Sequence, residues 1–277
     1  ERRRSPYSLF SGGPGSALWK STDAGTTWAE VKGGGFPSGQ KGRMTLDINH
    51  ANPSVMYMMI EAAANATGPI VGERSPKNNG LWKSTDGGAT WAQMNNYNVR
   101  PFYYSQVRSD PKNPDRVYFS STDLQMSEDG GKSWEARDSS RNMVWRPFYF
   151  QKLVVDPTNA DRVFKMNLRV IVSDNAGKSF SDTAGGSHAD WHDVWVNPKN
   201  PKHLIGADDG GMWISYDGGS KWWHSRNLPI SQFYHVAIDD KDPYQVYGGL
   251  QDNSSWVGDS EYPGGISNHR WENLYGG

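Results

Sequence analysis

Five copies of one short turn constrain this chain more than any other feature. Ser84–Trp91 reads S-T-D-G-G-A-T-W, and the spelling S-x-D-x-G-x-[ST]-[WF] recurs at Ser21–Trp28, Ser127–Trp134, Ser173–Phe180 and Ser215–Trp222. Asn175 replaces the aspartate once, and Lys221 replaces Thr or Ser once. Such a stretch predicts a tight turn between two strands. The carboxylate accepts hydrogen bonds from nearby backbone N–H groups, the glycine takes a positive φ, and the closing aromatic fills the space between neighbouring sheets. The five serines are 63, 43, 46 and 42 residues apart, and the long interval holds an inserted stretch at 62–79. A period of about 40–50 residues built of short strands is the signature of a β-propeller blade.

A second motif runs in step with the first. Asp47-Ile-Asn-His-Ala-Asn52-Pro53, Asp110-Pro-Lys-Asn-Pro114, Asp156-Pro-Thr-Asn-Ala160, Asn197-Pro-Lys-Asn-Pro201 and Asp239-Asp-Lys-Asp-Pro243 each precede an apolar strand such as Arg116-Val-Tyr-Phe119. Helical periodicity is absent, and Gly and Pro interrupt every window long enough to hold it. The expectation is an all-β chain: a β-propeller of four-stranded blades, forming a segment of a larger propeller. Its parts would be a half-blade at 1–30, blades at about 40–94, 100–138, 146–182 and 188–226, and a partial, divergent blade at 230–277. In that last stretch no aspartate turn appears near 257. The remainder of a longer parent chain is therefore expected to complete the ring, the alternative being a smaller ring closed by pairing of the two ends.

Charge narrows the partners. With 29 basic and 30 acidic residues the formal charge is −1, so nucleic acid is not expected as a partner. There is no cysteine, hence no disulfide and no thiolate metal site. No apolar run approaches the roughly 18 residues of a membrane-spanning helix, so membrane insertion is not expected.

Aligning the blades on the Asp-Pro turn shows which residues share a face. Four residues before the turn stand Arg43, Gln106, Lys152, Asp193 and His235, and three before it stand Met44, Val107, Leu153, Val194 and Val236. Strand alternation puts a polar ring on one side and an apolar layer on the other. Upstream, at the mouth face where inner strands begin, lie Tyr103, Tyr104, Tyr149 and Tyr234. Loops returning to that face after each second strand bring Glu61, Asp123, Asn167, Asp208, Asp209, Gln251, Asp252 and Asn253. Carboxylates and aromatics meeting at a channel mouth make a polar binding site, unless these loops are simply exposed and solvated.

The stretch His188-Ala-Asp190-Trp191-His192-Asp193 is the most unusual. If extended, it would project His188, Asp190 and His192 from one side, a set able to hold a divalent metal. A hydrogen-bonded network bracing the channel mouth is the competing reading, and ligand binding or catalysis without metal is a third. Apart from that metal, no cofactor is expected.

The two turn motifs, together with Ser8-Leu-Phe-Ser-Gly-Gly-Pro-Gly-Ser-Ala-Leu-Trp-Lys20, His192-Asp-Val-Trp-Val-Asn-Pro198, Asp208-Asp-Gly-Gly211 and the segments Gln232–His235 and Gln251–Asn253, resemble bacterial secreted Asp-box propellers of the BNR type. These are described as sortilin-N-terminal-like or glycosyl-hydrolase-like, and the likeness covers nearly the whole chain. The resemblance implies a periplasmic, cell-surface or secreted location in a bacterium. Distant relatives imply divergent activities: xyloglucanase-type hydrolases use paired aspartates between two propellers, sortilin binds peptides in its tunnel, and a photosystem II assembly factor binds protein. Sialidases share the Asp-box but need a three-arginine cluster, and only Arg43 stands in the polar ring.

Two functions of different class follow. The first is a binding or scaffold module that holds protein, peptide or glycan on Tyr103, Tyr104, Tyr149, Trp191 and Tyr234, with Arg43, Gln106, Lys152, His235, Gln251, Asp252 and Asn253 around them. The alternative is an inverting glycoside hydrolase drawing its acid and base from Asp190, Asp193, Asp208, Asp209 and Asp252, at a separation of roughly 6.5–9.5 Å. An open cleft with facing carboxylates and one raised pKa would favour hydrolysis. Carboxylates locked to Arg43, Lys152 or histidines would favour binding.

Overall fold

The computed structural model describes residues 2–5, 8–13, 15–62, 78–99, 101–145, 151–228 and 230–275, with backbone only at 2–5, 8–10, 102 and 103. Two hairpins come first, β1 (Arg2–Ser5) with β2 (Ser8–Ser11) and β3 (Trp19–Lys20) with β4 (Ala29–Glu30). Five four-stranded antiparallel sheets follow among the described residues. Blade I holds β5 (Lys41–Ile48), β6 (Met56–Ala62), β7 (Gly80–Ser84) and β8 (Ala92–Asn95). Blade II holds β9 (Gln106–Ser109), β10 (Val117–Ser120), β11 (Leu124–Ser127) and β12 (Glu135–Asp138). Blade III holds β13 (Leu153–Val155), β14 (Val163–Lys165), β15 (Ile171–Ser173) and β16 (Ser181–Asp182). Blade IV holds β17 (Trp191–Val196), β18 (Leu204–Asp208), β19 (Gly211–Ser215) and β20 (Trp223–His224). Blade V holds β21 (Phe233–Ile238), β22 (Gln245–Leu250), β23 (Ser255–Asp259) and β24 (Trp271–Asn273). The last sheet corrects the expectation of a partial blade: it has all four strands and lacks only the aspartate turn.

Each aspartate turn joins the third strand of a blade to the fourth, and its chemistry repeats. In blade I, Asp86 Oδ1 accepts from Thr90 N at 2.8 Å, Ser84 Oγ accepts from Gly88 N at 2.9 Å, and Gly88 sits at φ 86°. The same turn is bonded to the turn between strands one and two, through Gly87 N to Ser54 O, Gly130 N to Asp115 O, Ala176 N to Asp161 O and Gly218 N to Lys202 O. Blade V keeps this link with Ser260 N to Tyr244 O although its spelling has changed. Both motifs therefore lie on one face of the sheets, opposite the mouth face.

Apolar side chains pack between successive sheets, so the core is a series of layers. Tyr57, Met59 and Leu81 of blade I meet Val107, Val117 and Phe119 of blade II. Tyr118, Leu124 and Met126 meet Leu153 and Val163 of blade III, and Phe164 and Val172 meet Trp191, Val194 and Leu204 of blade IV. Closing aromatics seal these layers: Trp91 packs edge-on to Phe36 with centroids 5.6 Å apart, and Trp222 packs on Trp191 at 5.1 Å. Trp28 departs from the expectation: it is 59 % exposed, and its Nε1 donates to Gly25 O of its own turn at 3.0 Å. The apolar layer holds at Val107, Leu153 and Val194, which are at most 2 % exposed, but fails at Val236, which is 60 % exposed. Among the described residues no helix is long and apolar enough to cross a membrane.

One alignment is corrected by two residues. Asn49, not Asp47, occupies the place of Asp110: Asn49 N bonds Val55 O as Asp110 N bonds Arg116 O, and Asn49 Oδ1 accepts from Asn52 N. Thr45 is then the counterpart of Gln106, and Arg43 lies one strand repeat nearer the mouth.

Candidate functional site

Neighbouring blades use the expected polar ring to hold each other. Arg43 Nε donates to Ser105 O at 3.1 Å, joining blade I to the segment before blade II. Gln106 spans to blade III, donating from Nε2 to Gln151 O at 2.8 Å and accepting at Oε1 from Leu153 N at 3.1 Å. Lys152 Nζ forms an ion pair with Asp193 Oδ2, joining blades III and IV. His235 stands exposed on blade V.

The aromatic set divides. Pro101–Tyr104 forms one helical turn rather than a strand, and Tyr104 is half-buried. Tyr149 and the side chain of Tyr103 lie outside the described residues. Trp191 corrects the expectation of a ligand surface: it is fully buried, and its Nε1 donates to Ser187 Oγ at 2.9 Å. Gly206 makes room for that ring, since a Cβ there would come within 2.3 Å of it. Gly248 stands in the same relation to Phe233 in blade V, with a Cβ contact of 2.2 Å. Tyr234 remains exposed, at 61 %.

The pattern expected at 188–192 is not an extended strand, because Asp190 takes φ 64° and β17 begins only at Trp191. His192 then falls in a bulge, between the pairs Trp191 with Asp208 and Asp193 with Ala207. Its Nε2 meets Asp209 Oδ1 at 2.5 Å. His188 leaves the proposed set as well, with Nδ1 3.0 Å from Ala189 O and Nε2 3.3 Å from Asp252 O. Asp190 instead converges with Asp209 and Asp252, one oxygen of each lying within 4.8 Å of the others. Three carboxylates suit a hard, oxygen-preferring cation of the calcium or magnesium kind better than zinc.

Between blades IV and V, at the mouth face, lies a cavity of about 580 Å³. Blade IV and its following loop supply His192, Asp208, Asp209, His224 and Arg226, and blade V supplies Gln251, Asn253 and Trp256. Burial raises the pKa of Asp208, and the nearby Trp213 indole, the hydrogen bond from Gly210 N at 2.9 Å and the adjacent His188 and His224 oppose the rise. Burial lowers that of His188, but carbonyl contacts to Ala189 and Asp252 and the charges of Asp208 and Asp209 leave it raised overall. Asn253 Nδ2 ties the two walls together, donating to Asp209 O at 2.8 Å. His224 stacks on Trp213 at 4.6 Å, and its Nε2 lies 3.0 Å from Gly210 O.

The sequence reading did not reach His224, Arg226 or Trp256. A signal for Trp256 was present: it pairs with Gly248 as Trp213 pairs with Gly206, so laying blade V over blade IV exposes it.

Successive four-stranded antiparallel sheets with layered apolar packing define a β-propeller, of which this chain is a segment. No protein-family model matches the sequence, and no curated protein matches it. Among solved structures, the chain is similar to a GH74 enzyme from Niastella koreensis, with 16 % identity over 86 % of this chain and 31 % of that one and a TM-score of 0.51. It is also similar to an ancestral GH74 enzyme, with 15 % identity over 96 % of this chain and 36 % of that one and a TM-score of 0.54. At such identities the likeness is one of fold. The chain spans about a third of the length of these enzymes.

Proposed function

We propose that this chain is a ligand-binding β-propeller unit of the Asp-box, sortilin-like kind working outside the cytoplasm, and that its ligand sits in the cavity between blades IV and V. The observation that carries this is the lining: Asp209, Gln251 and Asn253 offer hydrogen-bonding groups beside the indole of Trp256. Such a mixture of flat apolar and polar groups suits a glycan or a polar peptide. The acidic triad of Asp190, Asp209 and Asp252, which meets the cavity at Asp209, could add a divalent cation beside it.

The carboxylates favour binding over inverting hydrolysis. Asp193 is held by Lys152, and Asp209 faces His192 at 2.5 Å. One oxygen each of Asp190, Asp209 and Asp252 lies within 4.8 Å of the others, a convergence suited to sharing one cation. One observation supports a second reading, a glycoside hydrolase: Asp208 is only 7 % exposed and its pKa is raised by burial, as a general acid requires.

A panel of glycans and peptides, scored for binding by calorimetry and for release of reducing ends, tests both. Binding without release, lost in Asp209→Asn, is the expected result. Release of sugar abolished by Asp208→Asn would replace the binding reading with the hydrolase.

A further inference from the structure

Blades I to IV meet through three apolar layers of one design, and the fourth junction breaks it. The face that each blade turns to the next is a row of registered partners. In blade II the row is Arg108, Tyr118, Met126 and Glu135, and in blade III it is Val154, Phe164, Val172 and Ser181. The central pair is buried in both, at 0 % and 1 % in blade II and at 0 % and 7 % in blade III. The corresponding row of blade IV is Trp195, Ile205, Ile214 and Trp223. It is the most apolar of the three, yet its central pair, Ile205 and Ile214, is only half-buried, and at its ends Trp195 is 49 % and Trp223 50 % exposed. A line of ring contacts extends it, Trp195 to His203 at 6.0 Å, His203 to Tyr216 at 5.0 Å and Tyr216 to Trp223 at 5.9 Å.

Blade V presents a matching surface. Val236 stands where Val107 and Val194 stand in their blades, and Ile238 lies two residues on, on the same side of the strand. Val236 and Ile238 are 60 % and 63 % exposed, whereas Val107 and Val194 are 0 % and 2 %. Hydrogen-bonding contacts among the described residues join the blades at the mouth face: Asn253 Nδ2 to Asp209 O, and His188 Nε2 with Asp252 O. Two apolar faces are thus held together at one edge and stand apart along the rest. Leaving side chains of this size in water is unfavourable relative to burying them.

We propose that blade V closes onto blade IV about the mouth-face contacts, burying the Trp195–Trp223 row against Val236 and Ile238, and that this closure draws together the two walls of the cavity. The occupant is blade V itself, because the preceding three junctions are each filled by the next blade in the chain. Closure about the Asn253–Asp209 contact turns Trp256 of blade V relative to His224 of blade IV, so a ligand that touches both walls would favour the closed form. That last consequence rests on the cavity being the binding site; closure itself does not.

The absence of cysteine makes the test clean. Ile238→Cys, Val236→Cys and a control, Tyr275→Cys, at a position 83 % exposed on the chain after blade V, are reacted with a thiol reagent at two protein concentrations. Closure predicts that both row positions react about tenfold or more slowly than the control, independently of concentration. It also predicts that adding Trp223→Asp restores fast reaction. Rates equal to the control would show that the faces stay apart and overturn the proposal. Protection that grows with concentration would assign the faces to a second copy, and protection untouched by Trp223→Asp would place its cause elsewhere; either result overturns it too.

Discussion

Single residues in the aspartate turns respond to pH in a calculable direction. Hydrogen bonds from the Thr90 hydroxyl and N–H, with Ser84, hold the Asp86 carboxyl down at about 2, against an ordinary value of 3.8. A depressed carboxyl stabilises the fold above the unfolded value, and that contribution disappears as pH falls through about 2. Asn175 shows what an amide does in the same place, with Oδ1 accepting from Ser179 N at 3.0 Å and Nδ2 donating to Ser179 Oγ at 2.8 Å. Asp86→Asn should therefore keep the turn and lower the melting temperature slightly at neutral pH, with the gap to the parent protein closing between pH 4 and 2. Thermal melts across that range check it. Lys165 also gains stability as pH rises, but from a group that lowers stability at neutral pH instead of adding to it. It is fully buried, donates to Gln151 O at 2.8 Å, and burial pushes its pKa down from 10.5 to about 7. The unfolded chain holds that proton up to about pH 10 while the folded one releases it near 7, so stability should rise with pH between the two. Lys165→Met should flatten that rise and stabilise the protein at neutral pH by up to about 4 kcal/mol, less the bonds to Gln151 that it removes. Urea unfolding at pH 7 and pH 9.5 would show both effects.

Among elements, the junctions between blades carry the stability. Tyr118 O–H reaches Ala160 O at 2.8 Å from blade II to the turn of blade III, and Tyr57 O–H reaches Pro114 O at 2.6 Å one junction earlier. Phe164 occupies the same register in blade III without a hydroxyl, so the ring alone can fill the layer. Tyr118→Phe should destabilise by about 1 kcal/mol with an unchanged denaturant slope, since it removes one hydrogen bond and no apolar volume. These elements were legible in the sequence because their turns need particular residues: only an acceptor at the Asp86 position and a glycine at the Gly88 position close them. Register was less legible. Asp47 and Asn49 are both competent to cap the turn before Asn52-Pro53, and the choice is made by the bond between Asn49 N and Val55 O. The site was least legible, because alternation along a strand was the rule used to place it. Asp190 at φ 64°, Asp252 at φ 55° and the bulge at His192 each break alternation, and none is a glycine that would announce it. That is why Trp191 faces the core and Asp190 faces Asp209.

At the level of the molecule, burial is deepest in the middle blades and falls away toward blade V. Phe119, Val117 and Leu153 are shielded completely, whereas every residue of β21 after Phe233 is exposed. Amide exchange should follow that gradient, with β21 and β22 protected at least about tenfold less than β10 and β14 if blade V opens as a unit. Mass-resolved hydrogen exchange on peptides from the two regions would show it, and equal protection would contradict it. The bond between the two turns of each blade has a further consequence, for the order of assembly. Gly130 N to Asp115 O closes a loop of only 15 residues, and its counterparts in blades III and IV close loops of similar size. Small loops are quick to close and lose little chain freedom in doing so. Each sheet can therefore form as soon as its own stretch leaves the ribosome, and use the sheet before it as a template, so that synthesis itself sets the sequence in which the layers are laid down.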